Sequence, residues 1–152
     1  MISHPHKYIK NFADAGADYL TVHAEADHDL KRTIEEIKKL NIKAGPAINP
    51  DGDLSLITDV LDISDIVLVM SVFPGFGGQK FMPEVLSKVK ELVILRNKNN
   101  YRYEIEIDGG INLDNCTEVK KSGVDIIVAG TALYGSKNMQ LDIKKMGQEK
   151  SL

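Results

Sequence analysis

Short apolar runs alternate with longer amphipathic stretches along the whole chain, and this alternation restricts the fold more than any other feature. The runs are Tyr19-Leu20-Thr21-Val22-His23, Lys43-Ala44-Gly45-Pro46-Ala47-Ile48, Ile66-Val67-Leu68-Val69-Met70, Tyr103-Glu104-Ile105-Glu106-Ile107 and Ile126-Ile127-Val128-Ala129. Their length and their Val and Ile content predict five strands. Pro46 weakens the second, because proline cannot donate to a ladder. Between the runs lie stripes at helical spacing: Leu30, Ile34, Ile37 and Leu40; Leu54, Ile57 and Leu61; Val85, Leu86, Val89, Leu92 and Val93; Leu113, Cys116 and Val119. A helix with Ile9, Phe12 and Ala13 opens the chain, and one with Met139, Ile143 and Met146 closes it. Asp14-Ala15-Gly16-Ala17-Asp18 and Lys121-Ser122-Gly123-Val124-Asp125 echo one another. In each, a glycine supplies a left-handed helix cap and a strand follows.

Strand–helix alternation implies an α/β protein whose parallel sheet is covered by helices. An open doubly wound sheet competes with a closed barrel. A barrel needs eight strands and more than ~200 residues. Five strands in 152 residues, taken alone, favour the open sheet.

Composition removes several function classes. With 43% hydrophobic and 27% charged residues, residues 1–152 read as a single soluble domain. A net charge of -3 argues against a general nucleic-acid binder. One cysteine, Cys116, excludes a disulfide framework and a cysteine zinc site. No run is long and apolar enough for a membrane span, and the first residues lack the apolar core of a signal peptide. The expectation is a cytoplasmic protein with no membrane partner.

Three segments carry chemistry. Met70-Ser71-Val72-Phe73-Pro74-Gly75-Phe76-Gly77-Gly78-Gln79-Lys80-Phe81 follows a strand and precedes a helix expected near Met82-Pro83-Glu84. Its glycines let backbone N–H groups converge on one point, as a bound phosphate requires. A plain flexible turn is the simpler alternative. Neither a Walker loop nor a dinucleotide fingerprint fits the spacing. Glu104-Ile105-Glu106-Ile107-Asp108-Gly109-Gly110 puts the isoleucines on one strand face and the acids on the other. In an α/β barrel all three acids would point inward, but for Glu104 and Glu106 a solvated face on an edge strand is the simpler reading. Asp108 differs, because two glycines beside it leave room for a ligand. Val128-Ala129-Gly130-Thr131-Ala132-Leu133 ends a strand in glycine plus a hydroxyl.

Together these segments resemble the ribulose-phosphate 3-epimerase family. The resemblance extends upstream through Thr21-Val22-His23-x-Glu25, Lys43-Ala44-Gly45 and Asn49-Pro50, and so covers nearly the whole chain. It implies a (β/α)8 TIM barrel of the ribulose-phosphate-binding type, with the five strands as the fourth to eighth. It implies an isomerase of the pentose phosphate pathway, interconverting D-ribulose 5-phosphate and D-xylulose 5-phosphate by metal-assisted proton transfer at carbon 3. Asp108 matches a residue that is both acid/base group and ligand of one divalent metal ion (Zn, Fe, Mn or Co). Gly75, Phe76, Gly77, Gly78, Gly130 and Thr131 match the phosphate-binding loops. Gly109 and Gly110 match substrate-contacting positions, and Met70 a methionine near the reacting carbons.

Two departures are small: Phe73 replaces a usually polar residue, and Thr131 stands where serine is commoner. The start is a larger one. Met1 matches the end of the family's third strand, so the chain is expected to be a C-terminal part of the barrel, without three metal ligands and the second carboxylate. His23 matches a position that is not a metal ligand. His4 and His6 read as an exposed terminus, His28 as part of a helix start, and no histidine is assigned to metal. A non-catalytic partial barrel that keeps a phosphate site and an allulose-6-phosphate epimerase relative are the alternatives within the fold. A phosphorylated ketose is the expected partner, and a homo-oligomer stays open.

Overall fold

The computed structural model describes residues 1–147. Five parallel strands, β1 (Tyr19–His23), β2 (Lys43–Ile48), β3 (Ile66–Met70), β4 (Glu104–Asp108) and β5 (Ile126–Val128), form one sheet in the order β1-β2-β3-β4-β5. The helices are α1 (Ile9–Asp14), α2 (Leu30–Lys38), α3 (Leu86–Asn99), α4 (Cys116–Lys121), α5 (Gly130–Tyr134) and α6 (Met139–Gly147). All five expected strands are present, with β4 both starting and ending one residue later, and β5 ending one residue earlier, than expected.

Strand order decides between the two architectures. A doubly wound sheet reverses its order at a switch point. Here the order is strictly sequential, and right-handed crossovers in that order place every helix on one face. That is barrel topology. The covered face carries Ala44, Ile48, Val67, Val69, Ile105 and Ile107, all completely buried. The other face holds Thr21, His23, Leu68, Glu106 and Asp108 at intermediate exposure. Among the described residues β1 and β5 each have one strand neighbour.

Acidic side chains set the start of two ladders. Asp65 Oδ2 accepts the Ala44 N–H at 3.0 Å and pairs with Lys38. Asp125 Oδ2 accepts the Ile105 N–H at 2.8 Å and the Arg96 guanidinium at 2.5 Å. Pro46 is tolerated because the β2–β3 register begins beyond it, pairing Ala47 with Leu68 and Ile48 with Val69. Gly16 and Gly123, both at positive φ, end α1 and α4 as expected.

Three expectations need correction. Leu54, Ile57 and Leu61 are buried or nearly so, but their segment forms two 3-10 turns, Leu54–Leu56 and Thr58–Val60, rather than a helix. Asp53 Oδ1 takes the Ser55 N–H, and the Thr58 hydroxyl donates to Leu54 O. Such local side-chain bonds compete with helical ones, and Ile57, Thr58 and Val60 are stiff β-branched residues. Leu40 is 47% exposed, because α2 stops at Lys38 and Asn41 turns the chain at φ 59. The acidic strand is not an edge: β4 lies between β3 and β5.

Asn100 ends α3 at φ 55, a conformation that costs least with glycine. Asn100→Gly is therefore expected to raise stability by about 0.5 kcal/mol, read as a higher urea midpoint at unchanged slope.

Candidate active site

Alternation along β4 places Asp108 at the strand's C-terminal end with its side chain on the face away from Ile105 and Ile107. Its register partners are Met70 on β3 and Val128 on β5. The glycine-rich segment leaves β3 directly after Met70, and Gly130 and Thr131 begin α5 just beyond β5. Three neighbouring strands thus deliver their loops to one end of the sheet.

Those loops surround a cleft of about 910 Å3. Met70, Gly75, Phe76, Gly77, Gly78, Asp108, Gly109, Gly110, Gly130 and Thr131 all line it. Val72, Phe73, Gln79, Ile111, Asn112 and Ala132 line it as well, and none of these is assigned to the site from the sequence. Gln79 has a clear task. Its Nε2 donates to Phe73 O at 2.8 Å and to Phe76 O at 2.9 Å, which closes the tip of the loop on itself. Gly78 has φ 75, open only to glycine at low cost, and a side chain there would come within 3.9 Å of Thr131. The two expected phosphate loops therefore face each other. Phe76, between two glycines, is 87% exposed.

Burial pushes the Asp108 carboxyl above the ordinary aspartate range. Glu106, two residues earlier on the same face, is also pushed up, first by burial and then by the nearby Asp108 charge. Glu106 is thus half-buried on the inner face, not solvated as its sequence suggested. A desolvated carboxylate is a stronger base than one in water. As a metal site the residues fall short. Asp108 is one donor, and among the described residues no group of three or more His, Cys, Asp or Glu side chains could hold a metal ion. Divalent cations in proteins usually take several ligands.

The upstream motif residues form a separate hydrogen-bonded cluster. His23 Nδ1 lies 3.2 Å from Glu25 Oε2, while Glu25 Oε1 accepts the Asn49 N–H at 2.8 Å. His28 is fixed between His23 O and Thr33 Oγ1, just before the start of α2, which Asp29 caps. His4 is only partly exposed, its Nδ1 3.3 Å from an Asp27 carboxylate oxygen.

Sequential parallel order, one helix-covered face and loops gathered at the C-terminal strand ends are the arrangement of a (β/α)8-barrel protein, of which the described residues hold five strands. Solved structures share this fold. A crystal structure of KGPDC from Streptococcus mutans in complex with D-R5P superposes with a TM-score of 0.72 at 19% identity, over 93% of this chain and 65% of that one. A crystal structure of 3-hexulose-6-phosphate synthase gives 0.66 at 20%, over 93% and 66%. The sequence itself is more specific: residues 1–134 match the Ribulose-phosphate 3 epimerase family, and the chain belongs to it. It is 41% identical over 146 residues to a ribulose-phosphate 3-epimerase of Aquifex aeolicus, covering 96% of this chain and 66% of the relative. Against that of Bacillus subtilis the identity is 44% over 147 residues, covering 96% and 68%. The chain spans about two thirds of the length of these curated relatives. Among the described residues no helix is long and apolar enough to cross a membrane.

Proposed function

We propose that this chain carries the phosphate grip and one acid/base carboxylate of a ribulose-phosphate 3-epimerase, acting on D-ribulose 5-phosphate and D-xylulose 5-phosphate. The observation that carries the reading is the convergence of the glycine-rich loop, Asp108 and the Gly130-Thr131 turn around one cleft. The proton on carbon 3 of the substrate is acidified by the ketone at carbon 2. Asp108, made more basic by burial, is suited to accept it. The phosphate would sit between Gly77, Gly78, Gly130 and Thr131, and its binding energy would hold carbon 3 against the carboxylate. Inversion also needs a proton returned to the opposite face. Asp108 is the one carboxylate lining the cleft among the described residues, and it serves a single face. Toward the family's divalent metal Asp108 would be a single ligand, too few among the described residues to hold it, and no step is assigned to the metal.

Titration with inorganic phosphate in a calorimeter tests the grip. Saturable binding is expected, weakened about 10–100-fold by Thr131→Val, since a charge-assisted hydrogen bond is worth roughly 1.5–3 kcal/mol. Absence of binding, or a valine variant that binds as tightly as the parent, would overturn the assignment.

A further inference from the structure

We propose that Ser71 is a positioning residue, which fixes the aim of Asp108 by fastening the start of the phosphate loop to the Asp108 and Gly109 carbonyls, directly after the carboxylate. The proposal rests on the epimerase reading and adds a residue to it. Ser71 is the first residue after β3 and is completely buried. It fastens three pieces of chain. Its N–H donates to Asp108 O at 2.8 Å, and its own carbonyl accepts the Met82 N–H at 3.1 Å, anchoring the far end of the loop. Its Oγ lies 2.7 Å from Gly109 O and 3.0 Å from Asp108 O. A hydroxyl has one proton to give. Asp108 O already accepts the Ser71 N–H, so the hydroxyl proton goes to the nearer Gly109 O.

The backbone around this bond is closely fitted. At Gly109, φ 130, an added Cβ would lie 2.7 Å from Val72 Cγ2 and 2.9 Å from Val72 N. At Gly110, φ 66, it would lie 2.4 Å from Phe81 N and 2.7 Å from Gln79 O. The two glycines after the carboxylate thus press on both ends of the phosphate loop. Ser71 supplies the hydrogen bonds that hold this contact, so it aims the carboxylate at a loop whose tip Gln79 closes independently.

A buried serine that merely satisfies two carbonyls is the ordinary alternative, and the test separates them. In the protein at its native length, conversion of ribulose 5-phosphate and calorimetric binding of inorganic phosphate are measured for the parent and Ser71→Ala. A carboxylate displaced by a fraction of an ångström should lower kcat about 10–100-fold. KM and phosphate affinity should stay within about twofold, because the phosphate loop keeps its own Gln79 bonds. Ser71→Cys keeps the shape and a weak donor, so its kcat should lie between the two; it carries the same comparison if the alanine variant does not fold. An unchanged kcat sinks the proposal, as does joint loss of kcat and phosphate binding, which marks a merely structural role. A parent protein that binds phosphate but does not convert ribulose 5-phosphate removes the epimerase reading itself, and this proposal with it.

Discussion

On the epimerase reading, and in the protein at its native length, Asp108→Asn should reduce kcat for ribulose 5-phosphate about 10³-fold, the size of effect expected when a positioned acid/base group is lost. The amide keeps the shape of the carboxyl but cannot take a proton from carbon 3. Asp108 is half-buried and its charged form is disfavoured by burial, so replacing it with a neutral group should not destabilise the fold. Phosphate affinity and thermal midpoint should therefore match the parent while turnover collapses. Turnover within tenfold of the parent would show that another group removes the proton.

Gly45→Ala should have the largest effect on stability. A Cβ at Gly45 would lie 1.6 Å from Ile66 O and 2.8 Å from Ile66 C, both backbone atoms of the adjoining strand. Backbone cannot step aside as a flexible side chain can. Either β2 and β3 separate, or the ladder that positions Met70 shifts. A loss above about 4 kcal/mol is expected, enough to leave little folded protein at 37 °C. Gly147→Ala, where nothing lies within 4 Å, is the control and should change stability by less than about 1 kcal/mol. Urea unfolding of the two variants measures the difference, and a Gly45→Ala protein as stable as the control would contradict the close approach.

The strands were legible because Val and Ile runs bounded by polar and glycine residues carry a local signal. Ile66 to Met70 and Ile126 to Val128 need no knowledge of their neighbours. Asp108 was legible for a similar reason, since Asp-Gly-Gly follows a strand whose alternation gives its facing. The segment holding Leu54 and Ile57 was misjudged as a helix, because apolar spacing does not register the competition from the Asp53 and Thr58 side chains. Glu106 was misjudged because internal or edge position depends on which strands flank β4, a property of the whole sheet. Ser71 and Gln79 stood inside the motif with no task assigned, because their partners, Gly109 O and the Phe73 and Phe76 carbonyls, are defined only once the loops have folded. Barrel over open sheet was decided by family resemblance in the sequence and by strand order in the structure.

Strand order has a further consequence, for how the chain acquires its shape. Among the described residues each strand bonds only to the strand before it and the strand after it in sequence. Each of these four ladders therefore closes a single crossover. Loop-closure entropy is met in small, similar steps. Assembly can begin at any adjacent pair and grow outward one unit at a time. The same property would let a strand–helix unit be gained or exchanged at either margin while the pairing of the central strands, and with it the placement of Asp108 between β3 and β5, is kept.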